Sequence, residues 1–384
     1  MQLPIYLDCH ATTPCDPEVV EAMLPFFNTF FGNPSSRNHL FGSQAEDAVE
    51  TARDQVAALI GAMPKEVIFT SGATESNNLA IRGLIEATNK LRCHVITAAT
   101  EHHAVLEPMR HLEHLGHRVT VLPVDRHGLI DLQQLRETLR LETTLVSIMM
   151  ANNEIGTIAS IAEIGKIVHE HGALLHSDLA QAAGKMPIDV KALGIDLASF
   201  AAHKMYGPKG VGALYVRSGA PAIRLTAQID GGGQERRWRS GTHNVPGIVG
   251  FGKAALLCQQ LMQDEARRIE RLRDRLHESI KDAVPESVLN GHPTQRLMGN
   301  LHISIPFVDG EAILTTFRKE IAVSSGAACT STTNEPSHVL RAIGLPNELI
   351  RCSLRFGMGR FNTEEEILYV SRRLSEEISR LRKP

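Results

Sequence analysis

Short apolar runs alternate along the first two thirds of the chain with longer segments in which apolar residues recur at helical spacing. The runs are apolar almost throughout, which is typical of strands buried on both faces of a sheet. This alternation predicts an α/β fold with a mostly parallel central sheet flanked by helices. The predicted strands are 67–70, 94–98, 118–122, 144–150, 173–177 and 195–202, with 212–216 as an antiparallel neighbour.

Helical periodicity fills the segments around these strands. Proline and glycine mark the breaks between the elements, for example at 32–36, between the first two predicted helices. The predicted helices span 16–31, 40–60, 75–87, 104–115, 131–139 and 161–171.

The pattern changes after Gly252, where a long charged helix over 253–283 is predicted to act as a connector. Beyond it, strands at 300–305, 321–324 and 354–356 and helices at 311–317 and 364–381 predict a smaller α+β domain. The N-terminal strand 3–8 is assigned to the same unit. We therefore expect a large domain over 15–257 and a small domain made of 1–14 with 258–384.

Composition narrows the class of protein. The chain is 43% hydrophobic and 22% charged with a formal net charge of −3, which is typical of a soluble globular protein without bulk attraction to nucleic acid or anionic membrane. No apolar run is long enough to span a bilayer and the N-terminus lacks a signal-peptide pattern, so we expect a cytoplasmic protein. Its six cysteines include no C-x-x-C pair, which argues against a disulfide framework or a zinc ribbon.

Candidate chemistry is densest in segment 199–212, where Lys204 stands between a buried strand and strong turn residues. A lysine amine attacks a carbonyl only when it is unprotonated, so burial or neighbouring charge must lower its pKa. The setting of Lys204 satisfies this condition and predicts a Schiff-base lysine. The alternative is an ordinary surface lysine.

The loops at the carboxyl ends of the predicted strands form the ligand-binding edge of such a sheet. Segment 70–75 offers free N–H groups and hydroxyls suited to a phosphate, or else is only a helix-capping turn. His102 is placed to stack on a flat ring, or is structural. Asp178 could hold a protonated pyridine nitrogen, or cap the segment after it, and Asn153 and Gln181 could orient ring substituents.

Taken together, these groups are better explained by one binding site for pyridoxal 5′-phosphate than by separate structural roles that coincide by chance. Arg355 adds a bidentate fork for a substrate carboxylate, its alternative being a surface ion pair. Segment 323–334 is rich in small and hydroxylated residues and displays Cys329, a candidate thiolate. An incidental free cysteine is the alternative there.

The whole chain also resembles a known family, on motifs spread over its length. They are Phe-Gly-Asn-Pro-Ser-Ser at 31–36, Phe-Thr-Ser-Gly-Ala-Thr-Glu-Ser at 69–76, Thr-Glu-His at 100–102, Asn-Asn-Glu-Ile-Gly at 152–156, His-Lys-Met-Tyr-Gly-Pro-Lys-Gly at 203–210, Gly-Gly-Gly at 231–233, Arg-Ser-Gly-Thr at 239–242 and Ser-Ser-Gly-Ala-Ala-Cys-Thr-Ser at 324–331. This combination is similar to the cysteine desulfurases of the NifS/IscS type, class V aminotransferases among the fold-type I pyridoxal-phosphate enzymes.

The resemblance implies a homodimer that converts L-cysteine to L-alanine for iron–sulfur cluster or thio-cofactor biosynthesis. Lys204 would hold the cofactor and move the α-proton, Arg355 would bind the substrate carboxylate, and Cys329 would take the sulfur as a persulfide and pass it to a scaffold or sulfur-carrier protein. No metal site is implied, with Cys329 the one candidate for a transient iron–sulfur ligand. The remaining implied site residues are Ala73, Thr74, His102, Asn153, Asp178, Gln181, Ala201, His203 and Thr242, the last from the second subunit, for the cofactor, and Asn33 and Asn153 for the substrate.

Two other classes of protein stay open at this point. One is a different pyridoxal-phosphate lyase, racemase or aminotransferase on the same fold, in which Cys329 is a bystander. The other is a non-catalytic assembly partner that keeps the fold.

The chain departs from the family pattern at several positions. Ala201 stands where a phosphate-binding serine is usual, which predicts weaker cofactor retention. Cys9 and His10 replace a Tyr-Ser pair, Ala327 stands where serine is common, and Leu-Ala replaces Ala-Thr between Asp178 and Gln181. The sequence ends at Pro384 without the C-terminal extension by which the IscS branch docks its scaffold partner, so that delivery route is not part of the expectation.

Overall fold

The alternating pattern folds into a seven-stranded sheet, as predicted. The computed structural model describes residues 2–325 and 336–382. Its strands are β1 (Ile5–Tyr6), β2 (Val67–Thr70), β3 (His94–Ala98), β4 (Arg118–Leu122), β5 (Thr143–Ser147), β6 (Leu174–Asp178), β7 (Leu197–Ala201), β8 (Gly212–Val216), β9 (Val288–Leu289), β10 (Asn300–Ser304), β11 (Ile321–Ala322), β12 (Ser324–Ser325) and β13 (Ser353–Gly357).

Helices cover this sheet and connect it to a second one. They are α1 (Pro17–Met23), α2 (Pro25–Asn28), α3 (Leu40–Leu59), α4 (Ala73–Asn78), α5 (Leu84–Ala87), α6 (His103–His114), α7 (Leu132–Thr138), α8 (Ile161–Glu170), α9 (Val245–Ala283), α10 (Gly310–Phe317), α11 (His338–Ala342), α12 (Asn347–Arg351) and α13 (Glu364–Leu381). A π-helical segment, Leu79–Gly83, joins α4 to α5. In the part of the chain that the structure describes, no helix is both long and apolar enough to cross a membrane.

The order of the central sheet is β2-β8-β7-β6-β5-β3-β4. Strands β4, β3, β5, β6 and β7 pair in parallel, and β8 runs antiparallel between β7 and β2. The antiparallel placement of β8 was predicted. The carboxyl ends of β3, β5, β6 and β7 therefore share one edge, where ligands bind in sheets of this kind.

Three predicted boundaries were wrong for identifiable reasons. The helix predicted over 16–31 is divided into α1 and α2 at Pro25, which cannot donate a helical N–H. Strand β5 ends at Ser147 rather than residue 150, since the carboxylate of buried Glu101 accepts the Met149 N–H at 2.6 Å. Helix α9 begins at Val245 and not at 253, and its glycines are positions of close packing: a Cβ on Gly252 would lie 2.6 Å from the Cα of Ala52.

A second, antiparallel sheet has the order β12-β13-β10-β9, and β1 pairs in parallel with β11 beside it. Helix α9 serves both units. Its Cys258 and Met262 belong to the core of the central sheet, whereas Ile269 and Leu276 belong to the core of the second sheet. The small α+β unit is present, and the boundary between residues 257 and 258 stays a prediction.

The N-terminal segment connects the two units. Ile5 pairs with Ile321, and the Cys9 N–H donates to the Gly357 carbonyl of β13. A few residues later, Thr13 and Asp16 donate their N–H groups to the carbonyls of His203 and Tyr206. Residues 10–13 are therefore held against the loop that carries Lys204.

Candidate active site

A cavity of about 670 Å³ lies at the carboxyl ends of β3, β5, β6 and β7, between the two units. Its lining includes nine of the residues singled out from the sequence: Ala73, Thr74, His102, Asn153, Asp178, Gln181, His203, Lys204 and Arg355. Residues from six separate loops and strands thus converge on one site, as the sheet topology predicts.

Five other residues singled out from the sequence do not line this cavity or cannot be placed there. Ala201 is buried in β7, and Asn33 is exposed with its side-chain oxygen accepting the Ser35 N–H. Thr242 is also exposed. Cys329 and Ala327 lie outside the described residues, so their roles remain predictions.

Lys204 ends a short 3₁₀ turn, Ala202–Lys204, directly after β7. Its amine donates hydrogen bonds to the carbonyl oxygens of His10 and Ala11, each at 2.7 Å. Burial, together with the positive charge of Arg355, lowers the pKa of Lys204 to about 8, against the opposing effect of Asp178 and Asp8. More of the amine is therefore neutral near pH 7 than in an exposed lysine.

Asp178 ends β6 and is only 5% exposed. One carboxylate oxygen accepts the Asn77 side-chain N–H at 2.8 Å and the other accepts the Ala180 N–H at 2.8 Å. The hydrogen bond from the Ala180 N–H is the capping contact that the sequence offered as the alternative role of Asp178. Asp178 nevertheless forms no ion pair with any described residue. A buried carboxylate of this kind requires a cationic partner, and a protonated pyridine nitrogen fits that requirement.

The turn at 70–75 has the features of an anion site. No side chain caps the helix that begins at Ala73, since Gly72 occupies the N-cap position with a φ of 157°. The backbone N–H groups of Ala73 and Thr74 have no acceptor among the described residues, and both residues line the cavity. Close packing supports the turn, because a Cβ on Gly212 would lie 2.6 Å from the Gly72 Cα. Unpaired N–H groups at a helix start fit a phosphate.

His203 lies beside Lys204, with its Nδ1 3.1 Å from the Thr12 hydroxyl. Burial and the charge of Lys204 lower the pKa of His203 to about 4. The imidazole is therefore neutral and can contribute a hydrogen bond, but not a charge, to an anion.

His102 caps α6, because its Nδ1 accepts the Ala104 N–H at 3.0 Å. The remaining proton of the neutral ring is consequently on Nε2. Burial lowers the pKa of His102, while the charge of Asp178 opposes that effect. His102 therefore has the structural role that the sequence left open as the alternative. Its ring also lines the cavity, as a neutral imidazole.

Arg355 lies on β13 and reaches the cavity from the small unit. Its NH2 group donates to the Asp8 carboxylate at 2.9 Å and to the Ser324 hydroxyl at 3.1 Å, and its NH1 group donates to the Asn153 carbonyl at 3.1 Å. The Nε–H is buried without a partner in the described structure. Arg355 is therefore not part of a surface ion pair. Its Nε–H is the donor that remains unused.

Sequence reasoning missed three polar residues in or next to this site, of which Glu101 and His10 are buried and Lys185 is partly buried. Glu101 is fully buried, and burial raises its pKa well above the usual range. His10 lines the cavity, and Lys185 donates to Gln181 at 2.7 Å. The only signal in the sequence was the unusual Cys-His pair at 9 and 10.

Comparisons with known proteins agree with this architecture. The class-V aminotransferase family model matches residues 5–370. A cysteine desulfurase IscS of Anaeromyxobacter dehalogenans is 52% identical over 382 residues, covering 100% of this chain and 94% of that protein. Another IscS, from Rickettsia rickettsii, is 52% identical with coverage of 100% and 93%.

Solved structures give the same result. A NifS-like protein superposes with a TM-score of 0.91 at 36% identity, covering 98% of this chain and 100% of that one. A structure described as SspA in complex with cysteine has a TM-score of 0.81 at 36% identity, with coverage of 94% and 100%. The resemblance predicted from the motifs is confirmed, and the chain belongs to the class-V aminotransferase family.

Proposed function

We propose that this chain is a pyridoxal-phosphate-dependent cysteine desulfurase, which converts L-cysteine to L-alanine and retains the sulfur as a persulfide. The observation that carries the proposal is the pair formed by Lys204 and Asp178 in one cavity: an amine with a lowered pKa and a buried carboxylate that forms no ion pair with a described residue. The full-length similarity to proteins named cysteine desulfurase supplies the substrate class.

The residues present fit the cofactor. Lys204 would bind its aldehyde carbon, Asp178 would hold its ring nitrogen, and the N–H groups at 73–74 with His203 would bind its phosphate. His102 would stack on the ring, and Asn153 and Gln181 would orient its substituents. When bound, pyridoxal phosphate supplies an electron sink for charge that develops on the amino acid.

The substrate carboxylate is assigned to Arg355, which lines the cavity and whose buried Nε–H has no partner among the described residues. Asp8 already accepts one hydrogen bond from this guanidinium, so substrate and Asp8 compete for it. The neutral Lys204 amine would take the proton from the substrate α-carbon, a role for which a pKa of about 8 is suited.

Cys329 is the proposed sulfur acceptor. Its thiolate would attack the substrate sulfur, the S–S bond would form as the substrate C–S bond breaks, and the β-carbon would take a proton to give alanine. Ser324, Ser325 and His338, on both sides of the segment 326–335, line the cavity. Cys329 is four residues after Ser325 in the sequence, and four residues of fully extended chain span roughly 14 Å.

A homodimer is part of the proposal. The region 24–41 exposes several large apolar side chains, which a second copy would bury: Leu24 57%, Phe27 62%, Phe31 63%, Leu40 69% and Phe41 49%. Exposed Thr242 would then complete the phosphate site of the other subunit. The persulfide would be passed to a scaffold or sulfur-carrier protein for iron–sulfur cluster assembly, in the cytoplasm.

Product stoichiometry tests the proposed reaction. Purified protein loaded with pyridoxal phosphate should form alanine and sulfane sulfur from L-cysteine in equal amounts. Alanine or pyruvate without sulfane sulfur would indicate a different lyase or aminotransferase. No turnover of any amino acid would indicate an assembly partner instead.

A further inference from the structure

The side chain of Gln181 is buried, 3% exposed, and its hydrogen bonds can be counted. Its carbonyl oxygen accepts from the Lys185 ammonium at 2.7 Å and faces the His10 Nδ1 at 3.2 Å. Its amide nitrogen donates to the backbone carbonyl of His10 at 2.8 Å. One residue, His10, thus contacts both ends of the carboxamide.

These contacts fix the tautomer of His10. The Gln181 oxygen can only accept, so the hydrogen between them must be on His10 Nδ1. The ring is 2% exposed, and burial, together with the nearby positive charges of Lys185, Arg355 and Lys204, lowers its pKa well below the usual range, so the ring is neutral. Its Nε2 consequently has a lone pair, and this atom is buried without a partner among the described residues.

The count leaves Gln181 with a single kind of free hydrogen-bonding group. Both lone pairs of its oxygen are used, by Lys185 and His10, and one of its two amide hydrogens is used by the His10 carbonyl. Only the second amide hydrogen remains for a ligand in the cavity.

We propose that His10 is a positioning residue that, together with Lys185, fixes the carboxamide of Gln181 so that this side chain can only donate to the bound ligand. The identity of that ligand rests on the proposed function. For pyridoxal phosphate, the acceptor would be the oxygen substituent of the ring, which is anionic when it accepts strong hydrogen bonds.

The contribution of His10 should depend on pH. Burial and the charge of Lys204 lower the pKa of Lys185 to about 7, with Arg355 acting in the same direction and the thiols of Cys9 and Cys258 in the opposite one. Below about pH 7 the Lys185 ammonium can only donate, so it holds the Gln181 oxygen together with the His10 Nδ1–H. Above that pH the neutral amine donates a weaker hydrogen bond and can also accept, so the hydrogen bond from His10 contributes a larger share of the hold on Gln181.

Substitutions of His10 separate its two nitrogens. An asparagine side chain places its amide near the position of Nδ1, whereas a glutamine reaches the position of Nε2. We expect His10→Ala and His10→Gln to weaken the hold on Gln181 and His10→Asn to restore it. The His10 carbonyl stays in every variant, so the effect is partial.

The first readout is the pH dependence of the absorption of the bound cofactor. Because an N–H donor stabilises the anionic ring oxygen, we expect the midpoint to rise by roughly half a pH unit to one unit in His10→Ala. In His10→Asn the midpoint should return to the wild-type value. Equal midpoints in all four proteins, or a uniform shift that His10→Asn does not reverse, would overturn the proposal.

The second readout needs no cofactor. Nitrogen NMR of protein labelled at its histidine rings, with the His10→Asn spectrum subtracted, should show one neutral ring protonated on Nδ1. A ring protonated on Nε2, or on both nitrogens, would contradict the assignment. A wild-type protein that binds no pyridoxal phosphate would overturn the proposed function, while this spectrum would still decide the placement of His10.

Discussion

The amine of Lys204 lies 2.7 Å from the backbone carbonyl oxygen of His10. His10 follows β1, whose core contacts belong to the small unit, whereas Lys204 follows β7 of the central sheet. The hydrogen bond therefore crosses between the two units. A neutral carbonyl positions the amine without offsetting its charge as a carboxylate would, so the lysine is held in place while its neutral form stays accessible.

The lowered pKa of Lys204 predicts how fast the cofactor-free protein binds pyridoxal phosphate at different pH values. Only the neutral amine reacts, and its fraction grows as pH rises through about 8. The association rate should therefore rise up to about pH 8 and then level off. A rate that keeps rising toward pH 10 would show that the Lys204 amine titrates like an exposed lysine.

Asp178→Asn tests the ring-nitrogen partner. An amide cannot stabilise a cationic ring nitrogen, so we expect turnover of L-cysteine to fall by at least about 100-fold, as for loss of a buried charge partner. The absorption spectrum of the cofactor should change as well. Asp47→Asn, on the exposed face of α3, is the matched control and should behave like wild type. Near-normal turnover in Asp178→Asn would remove this carboxylate from the mechanism.

Arg355→Lys tests the carboxylate site. A lysine keeps the charge but loses the planar fork, so the KM for L-cysteine should rise by roughly tenfold or more while kcat changes less. Arg351→Lys, at an exposed position on α12, is the control. An unchanged KM in steady-state assays would mean that another group binds the substrate carboxylate.

Ala201→Ser tests the effect of the alanine that replaces the family's usual serine at the end of β7. A hydroxyl at this position should add one hydrogen bond to the phosphate and tighten cofactor binding by about three- to tenfold, the equivalent of about 1 kcal/mol. Titration of cofactor-free protein with pyridoxal phosphate measures the change. Ala201 is 2% exposed, so thermal unfolding of the variant should be recorded alongside. No gain in affinity with unchanged stability would show that the phosphate does not lack this contact.

Much of the central sheet could be predicted because its strands are apolar and bounded by turns. The limits of β2, β3, β4 and β8 agree with the prediction to the residue. Errors arose where a distant side chain decides the outcome. Glu101 ends β5 by taking the Met149 N–H, and helix α9 continues through glycines because α3 packs closely there.

The same distinction applies to the site. Lys204, Asp178 and His102 could be predicted since each follows a strand at the ligand-binding edge of the sheet. His10 and Lys185 could not, because their roles depend on contacts across the fold with Gln181, and no local pattern specifies such contacts.

The central claim is that Cys329 receives the sulfur of the substrate, and mass spectrometry tests it most directly. Protein loaded with pyridoxal phosphate is exposed to L-cysteine, its thiols are blocked, and the peptide containing Cys329 is analysed. The account predicts the added mass of one sulfur atom on Cys329 in wild type, and greatly reduced sulfide release in Cys329→Ser. An unmodified Cys329 during turnover, together with a Cys329→Ser protein that releases sulfide at the wild-type rate, would contradict it.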